Sequence, residues 1–350
     1  MKEQETSDKG KLVQRVLSEG KLPQDILDKL LAFTTDRKET EDIIVGAETG
    51  EDAAVVRGLD RLIISADPIT FTEENIGIYT VAVNCNDIVA MGGVPKYLTT
   101  TILIPIGTLH NRLKAVFKEI GTAAKAAGIN WVGGHTEVTT AVNKIIASGH
   151  VVGFLTGKAT PSSGAKAGED IVMTKWAGME GTTLIAREFP EKTKTILGDT
   201  GFKEVENWLK EPGISIIKEG QILKGIEISA AHDPTEGGIA TGIHEICMRS
   251  GTGAVISKES ILLRRESSLL TEAFGIDPLG LLSSGVLLFT ASHDEAKRAV
   301  ARLKQKGIDS AVIGKITDRE GEILIKSGKD TERLPIFTAD EIIKALKRKV

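Results

Sequence analysis

The stretch Gly50–Gly93, GEDAAVVRGLDRLIISADPITFTEENIGIYTVAVNCNDIVAMGG, constrains this chain more than any other part of it. Two β-rich runs, Ala53–Arg57 and Arg61–Ala66, flank Gly58-Leu59-Asp60, which predicts a hairpin. Acids mark its ends: Glu51 and Asp52 precede the first run and Asp67 follows the second. From about Ile76 to Met91 the sequence reads as an apolar helix, with Thr80, Asn84 and Asp87 at i, i+4 and i+7 on one face. A polar stripe on so apolar a helix needs partners, because buried polar groups without hydrogen bonds are costly. Aspartates at a strand start, at a strand end and inside a helix suit one hard cation. Mg²⁺ is held by one or two carboxylates together with waters and substrate phosphates. Taken singly, Asp52 and Asp67 serve equally well as turn caps, and Asn84 and Asp87 as a satisfied core network. Taken together, they predict a site.

A length of 350 residues, 41% of them hydrophobic and 26% charged, fits two globular domains, each with its own core. The small-residue segment Ala159–Gly168 (ATPSSGAKAG) places the boundary, giving domains at 1–160 and 161–350. The net charge is −4 and the cations are scattered, which argues against nucleic acid as a partner. No run reaches the roughly 18–20 apolar residues of a membrane span. The opening MKEQETSDKG lacks a signal peptide's apolar core, so a cytoplasmic location is expected. The two cysteines, Cys85 and Cys247, lie in apolar helical patterns and are expected as buried thiols, neither paired nor zinc-bound.

Along the chain, Pro23–Phe33 reads as a helix, and the helix of the opening stretch stops at Gly92-Gly93-Val94-Pro95. A strand Tyr97–Ile104 follows, then a helix Leu109–Ala127 with Leu113, Val116, Phe117 and Ile120 inward. A short strand Ile129–Val132 leads into Gly133-Gly134-His135-Thr136-Glu137, and Lys144–Leu155 is another strand. The second half restarts with a strand Asp170–Thr174 and helical stretches to about Lys224. The short run Glu227–Ala231 then leads to His232-Asp233-Pro234-Thr235-Glu236-Gly237-Gly238 and a helix to about Arg249. Strands Val286–Thr290, Ala311–Ile316 and Glu322–Ile325, with a helix Asp294–Gln305, complete a mixed sheet. The order of elements argues for an α/β or α+β fold.

Two further segments have the composition of ligand sites. Asp233–Gly238 is a glycine-rich turn opening a helix, where free N–H groups bind anions; Thr235 or Asp233 serves equally as a plain N-cap. Adjacent Gly237 and Gly238 weaken an early helical turn, which favours close approach of a ligand. His135 and Glu137 beside Gly133-Gly134 are placed after a strand, where function often resides, although a lone histidine is more often structural. There is no GxxxxGK[ST] loop and no Ser/His/Asp or Cys/His constellation, so the catalytic residues stay unassigned.

These segments, GEDAAVV at Gly50–Val56, Asp67, Asn86-Asp87 with Met91-Gly92-Gly93, GGHTE at Gly133–Glu137 and HDPTEGG at His232–Gly238, jointly resemble one ATP-binding superfamily. It includes aminoimidazole ribonucleotide synthetase, thiamine-monophosphate kinase, selenophosphate synthetase and the hydrogenase-maturation protein HypE. Within it the chain is most similar to the HypE-like, AIR synthase related group. The resemblance implies a two-domain PurM-like fold: an N-terminal ATP-binding domain that pairs with a second subunit to form a dimeric β-barrel, and a C-terminal α/β sandwich. It implies ATP and Mg²⁺ as cofactors. Asp52, Asp67, Asp87 and Asp233 would hold the metal and the phosphates. Glu51, Asn84, Asn86, Gly133, Gly134, His135, Thr136, Thr235, Gly237 and Gly238 would join Asp52 around the nucleotide. The implied activity is ATP-dependent phosphoryl transfer or activation, on a small-molecule or protein-thiol-derived acceptor that the sequence does not name. The alternative is a nucleotide-binding maturation factor or scaffold with little turnover. HypE proteins carry a reacting thiol on a C-terminal cysteine. This sequence reads Lys347-Arg348-Lys349-Val350 there, so dehydration of a C-terminal thiocarbamate is not expected to carry over.

Overall fold

The structure, a computed structural model, describes residues 43–45, 50–51, 53–57 and 61–347. The expected helix Pro23–Phe33, Asp52 and the turn Gly58–Asp60 lie outside the described residues. Strands β1 (Ile43–Val45), β2 (Ala54–Arg57) and β3 (Arg61–Ile69) lead to helix α1 (Ile76–Ala90). Strand β4 (Gly93–Pro105), helix α2 (His110–Ala127) and strands β5 (Asn130–Thr139) and β6 (Ile146–Leu155) follow. They build a six-stranded sheet in the order β1-β2-β3-β6-β4-β5. The expected hairpin forms, with β2 antiparallel to β3 and Ala54 opposite Ile64. Alternation sets one face of the sheet inward: on β3, Ile63, Ser65 and Ile69 are buried while Arg61, Ile64 and Ala66 are exposed. Helix α1 covers that inner face and packs on α2. It is apolar nearly all round because the sheet, α2 and the second domain enclose it.

The second sheet runs β13-β12-β9-β11-β7-β10-β8. Its strands are β7 (Asp170–Thr174), β8 (Ile228–His232), β9 (Gly253–Ser257), β10 (Leu288–Ala291), β11 (Ser310–Thr317), β12 (Ile323–Ser327) and β13 (Asp330–Arg333). The helices of this half are α3 (Met179–Glu188), α4 (Pro190–Asn207), α5 (Ile217–Ile222), α6 (Gly238–Ser250), α7 (Arg265–Phe274), α8 (His293–Gln305) and α9 (Ile342–Leu346). Strand β7 is buried at every residue because helices cover both its faces. Ile171 and Met173 point into the cluster beneath α6, and Val172 into the one beneath α8. The two halves share a core, in which Trp176, Met179, Trp208 and Ile214 join Tyr79, Val81 and Cys85 of α1. This is the two-domain PurM-like architecture expected from the sequence.

Several details depart from the sequence reading. GGHTE is not a loop after a short strand: β5 continues to Thr139 because it pairs in parallel with β4, Thr101 standing opposite His135. Phe117, expected inward, is exposed and tilts against Trp131 at the surface. Strands β9 and β13 and helix α7 were not anticipated. Among the described residues no helix is long and apolar enough to cross a membrane.

Candidate functional site

The polar stripe of α1 faces β3. Asn84 is fully buried; its side chain accepts from the Asp67 N–H at 2.7 Å and donates to the Asp67 carbonyl at 3.1 Å and the Thr80 carbonyl at 2.9 Å. Thr80 donates its hydroxyl to the Ile76 carbonyl. One turn on, the Ser65 hydroxyl donates to the carboxylate of Asp87. Helix and strand thus lock at two points, Ser65 with Asp87 and Asp67 with Asn84. The side chain of Asp67 remains half-exposed at the end of the strand. Asn86, on a different face, holds the second domain: its amide donates to the Ile214 carbonyl at 2.9 Å and accepts from the Ile216 N–H at 3.0 Å.

Glu51 also reaches across to the second domain. Its carboxylate accepts from the Ser162 N–H at 3.2 Å and lies 3.5 Å from the Arg249 guanidinium. On the facing side, His232 Nε2 lies 2.9 Å from Glu245 Oε2, both largely buried, and Asp233 follows directly with 3% exposure. The Gly50-Glu51 turn and the HDPTEGG turn, about 180 residues apart in the sequence, therefore both contact α6. Among the described residues no three of His, Cys, Asp and Glu stand close enough to hold a metal by themselves. Asp67, Asp87 and Asp233 therefore do not form such a group by themselves; their oxygens are of the kind Mg²⁺ takes, an ion whose remaining positions waters and phosphates fill.

The glycines have packing roles. A Cβ on Gly238 would collide with the carbonyls of Leu279 and Leu281, and one on Gly134 with the Thr100 backbone of β4. The Gly237 N–H, at the start of α6, donates to the Asp340 carboxylate at 2.8 Å, and the Thr235 carbonyl accepts from Gly238 and Ser283. Gly133, His135 and Thr136 lie on β5, exposed along most of its length at the edge of the first sheet, where His135 Nε2 sits 3.1 Å from Glu137 Oε2. Among the described residues no hydrogen bond or ion pair brings them to the turns that touch α6.

Sequence reasoning missed several groups. Ser65 was legible as the residue two before Asp67, on the same strand face. Glu245 and Arg249 were legible as an i, i+4 pair on an expected helix. Glu180 and Asp340 carried no signal. Burial pushes the Glu180 carboxyl up to about 7, opposed by the nearby polar groups of Ser284 and reinforced by Asp340 and Glu236. Burial likewise pushes Asp340 up to about 6, opposed by the N–H groups of Ile342, Gly237 and Leu282. Both cysteines are buried and free, and burial pushes Cys85 up to about 12 and Cys247 to about 11. An open groove of about 890 Å³ lies elsewhere, on the face of α1 opposite Asp87, between Ile78, Val81 and Ala82, helix α2 and residues 209–221.

Comparison with known proteins bears on the family and the fold. The family described as AIR synthase related protein matches with its N-terminal domain over residues 50–155 and its C-terminal domain over residues 166–327. A putative hydrogenase expression/formation protein of Methanocaldococcus jannaschii is 26% identical over 304 residues, 83% of this chain and 88% of that protein. The carbamoyl dehydratase HypE of Escherichia coli is 27% identical over 281 residues, 77% of this chain and 80% of that protein. The crystal structure of the hydrogenase maturation protein HypE in complex with ATP superposes with a TM-score of 0.71 at 23% identity, over 83% of this chain and 90% of that one.

Proposed function

Because the chain belongs to the AIR synthase related protein family, we propose that it is an Mg²⁺-dependent ATP-binding enzyme that transfers or activates through the γ-phosphoryl group. The observation that carries this reading is that two acidic turns contact one helix: Glu51 of the first domain through Arg249, and His232, next to Asp233, of the second through Glu245. The family relatives named above, one solved with ATP, support it. Asp67, Asp87 and Asp233, with Asp52, are the residues that would hold the ion. When bound, Mg²⁺ neutralises phosphate charge that the acids alone would repel. This chain's own contribution is placement. Asn84 fixes the backbone at Asp67, Ser65 fixes Asp87, and Glu245 fixes His232 next to Asp233. Such positioning is the main lever in phosphoryl transfer.

The acceptor is separate from the protein in this reading. Cys85 and Cys247 are buried and their thiols are held protonated, so neither serves as a nucleophile. Calorimetric titration of ATP tests the proposal, with Mg²⁺ and with a chelator, on wild type and on Asp87→Asn. Wild type should bind only with Mg²⁺, and Asp87→Asn should weaken that binding while the ligand-free melting temperature stays level or rises. Equal affinity in all four titrations would remove the metal–phosphate site and leave these acids as turn caps and core polar groups. ADP release with and without candidate acceptors then distinguishes an enzyme from a nucleotide-binding scaffold.

A further inference from the structure

We propose that Arg249 is a positioning residue: it ties the turn at Gly50-Glu51 to the second domain and so sets the spacing between the two acidic turns. The proposal rests on the ATP-binding reading above and assigns the device that brings the halves of that site into register. Gly242, Glu245 and Arg249 fall at i, i+3 and i+7 on α6 and share one face. Each touches a different part of the site. A Cβ on Gly242 would stand 3.0 Å from the His232 ring and from Pro234, so the helix presses directly on the HDP turn. Glu245 meets His232 Nε2 at 2.9 Å. Arg249 meets the Glu51 carboxylate at 3.5 Å.

Gly50 closes the arrangement. It has φ +83, and a Cβ there would lie 3.0 Å from Cγ of Arg249 and 3.7 Å from Cβ of Glu245. The stem of Arg249 thus packs on the Gly50 backbone while its head holds the next residue. The other Glu51 oxygen receives the Ser162 N–H, from the segment that joins the domains. One helix face therefore reads both turns. Glu51 is 2% exposed on its side chain, which favours a shielded ion pair over a solvated surface pair. A role limited to the helix macrodipole, which suits a cation in the last turn of α6, would leave the Gly50-Glu51 turn indifferent to this side chain.

Two readouts test the proposal on the full chain with Arg249→Ala, Arg249→Lys, Glu51→Arg, and the exchanged pair Glu51→Arg with Arg249→Glu. Hydrogen exchange without nucleotide reads the tether. Arg249→Ala should raise exchange about tenfold at the amides of Ser162 and residues 53–57, leaving β7 and β10 unchanged. Titration of Mg²⁺-ATP reads the site. Arg249→Ala and Glu51→Arg should each weaken binding about tenfold, with Arg249→Lys and the exchanged pair recovering most of it. Unchanged exchange at Ser162 and residues 53–57 in Arg249→Ala would overturn the tether. Raised exchange with wild-type affinity would overturn the positioning role, as would an exchanged pair no better than its single variants. Absence of ATP binding by the wild type would instead overturn the function proposed above, and exchange would still decide the tether.

Discussion

Replacing Asn86 with alanine isolates the joint between the domains. The side chain is fully buried and makes two hydrogen bonds to one backbone segment, to the Ile214 carbonyl and from the Ile216 N–H. Ile214 and Ile216 are themselves buried, so the groups left behind lose a partner in a poorly hydrated place. Each orphaned group costs about 1–3 kcal/mol, which puts the loss at about 2–6 kcal/mol for the pair. That is a large share of the roughly 5–15 kcal/mol that stabilises an ordinary protein. Trp176 and Trp208 stand edge to face at the same joint with ring centroids 5.1 Å apart, both nearly buried, so tryptophan fluorescence during urea unfolding reports on it directly. Asn86→Asp refines the test: it keeps the acceptor for Ile216 and turns a carboxylate oxygen on the Ile214 carbonyl, so it should be no more stable than the alanine variant. A loss below about 1 kcal/mol for Asn86→Ala, at unchanged dependence on urea, would refute the reasoning. It would mean that the shared apolar core and the other contacts across the joint, such as Glu51 with Arg249 and Ser162, hold the domains without Asn86.

Stability should fall as pH rises from about 4.5 to 7. Glu180 keeps its proton in the folded state up to about 7 while the unfolded chain releases it near 4.5, a loss of roughly 3 kcal/mol by linkage; Asp340 adds in the same direction below about 6. Glu180→Gln should flatten most of that slope in denaturation midpoints measured from pH 4.5 to 8, and an equally steep slope in the variant would assign it elsewhere. A homodimer should form through the first domain, because the edge strand β5 leaves Val132 and Val138 about 60% and 63% exposed. Sedimentation should show a dimer at micromolar concentration that Val138→Lys weakens; a wild-type monomer would count against it.

The legible parts of the fold were those whose periodicity comes from a single partner. Strand Asp170–Thr174 was read at its observed bounds, and α2, α6 and α8 came within two residues at each end, because each shows one apolar face or a short buried run. What escaped was set by tertiary pairing. The sequence breaks β5 at Gly133-Gly134, yet the strand continues because nine of its residues pair with β4. Arg265–Phe274 carries three acids and bases in its first eight residues and was passed over, although Leu270 and Phe274 anchor it beneath α3. Asp340 lies 103 residues from the helix start it caps, a separation that no local pattern can report.

The same distinction separates the two kinds of polar residue on α1. Thr80, Asn84 and Asp87 were read as one stripe with one purpose, and the neighbouring Asn86 as a further nucleotide group. The structure divides them by direction. Asn84 and Asp87 meet β3, Thr80 bonds back to Ile76 of its own helix, and Asn86 is turned toward the second domain. Asparagine suits both places for the same reason: one amide offers a donor and an acceptor, so it satisfies a backbone carbonyl and a backbone N–H together. Asn84 does this for residue 67, and Asn86 does it for residues 214 and 216. A carboxylate cannot, since it only accepts when ionised. At position 87 the Ser65 hydroxyl donates to the carboxylate, a contact that asks for an acceptor alone. Two amides thus fasten the backbone of both domains to this one helix, while Asp87, directly after Asn86, takes its donor from the Ser65 hydroxyl of β3.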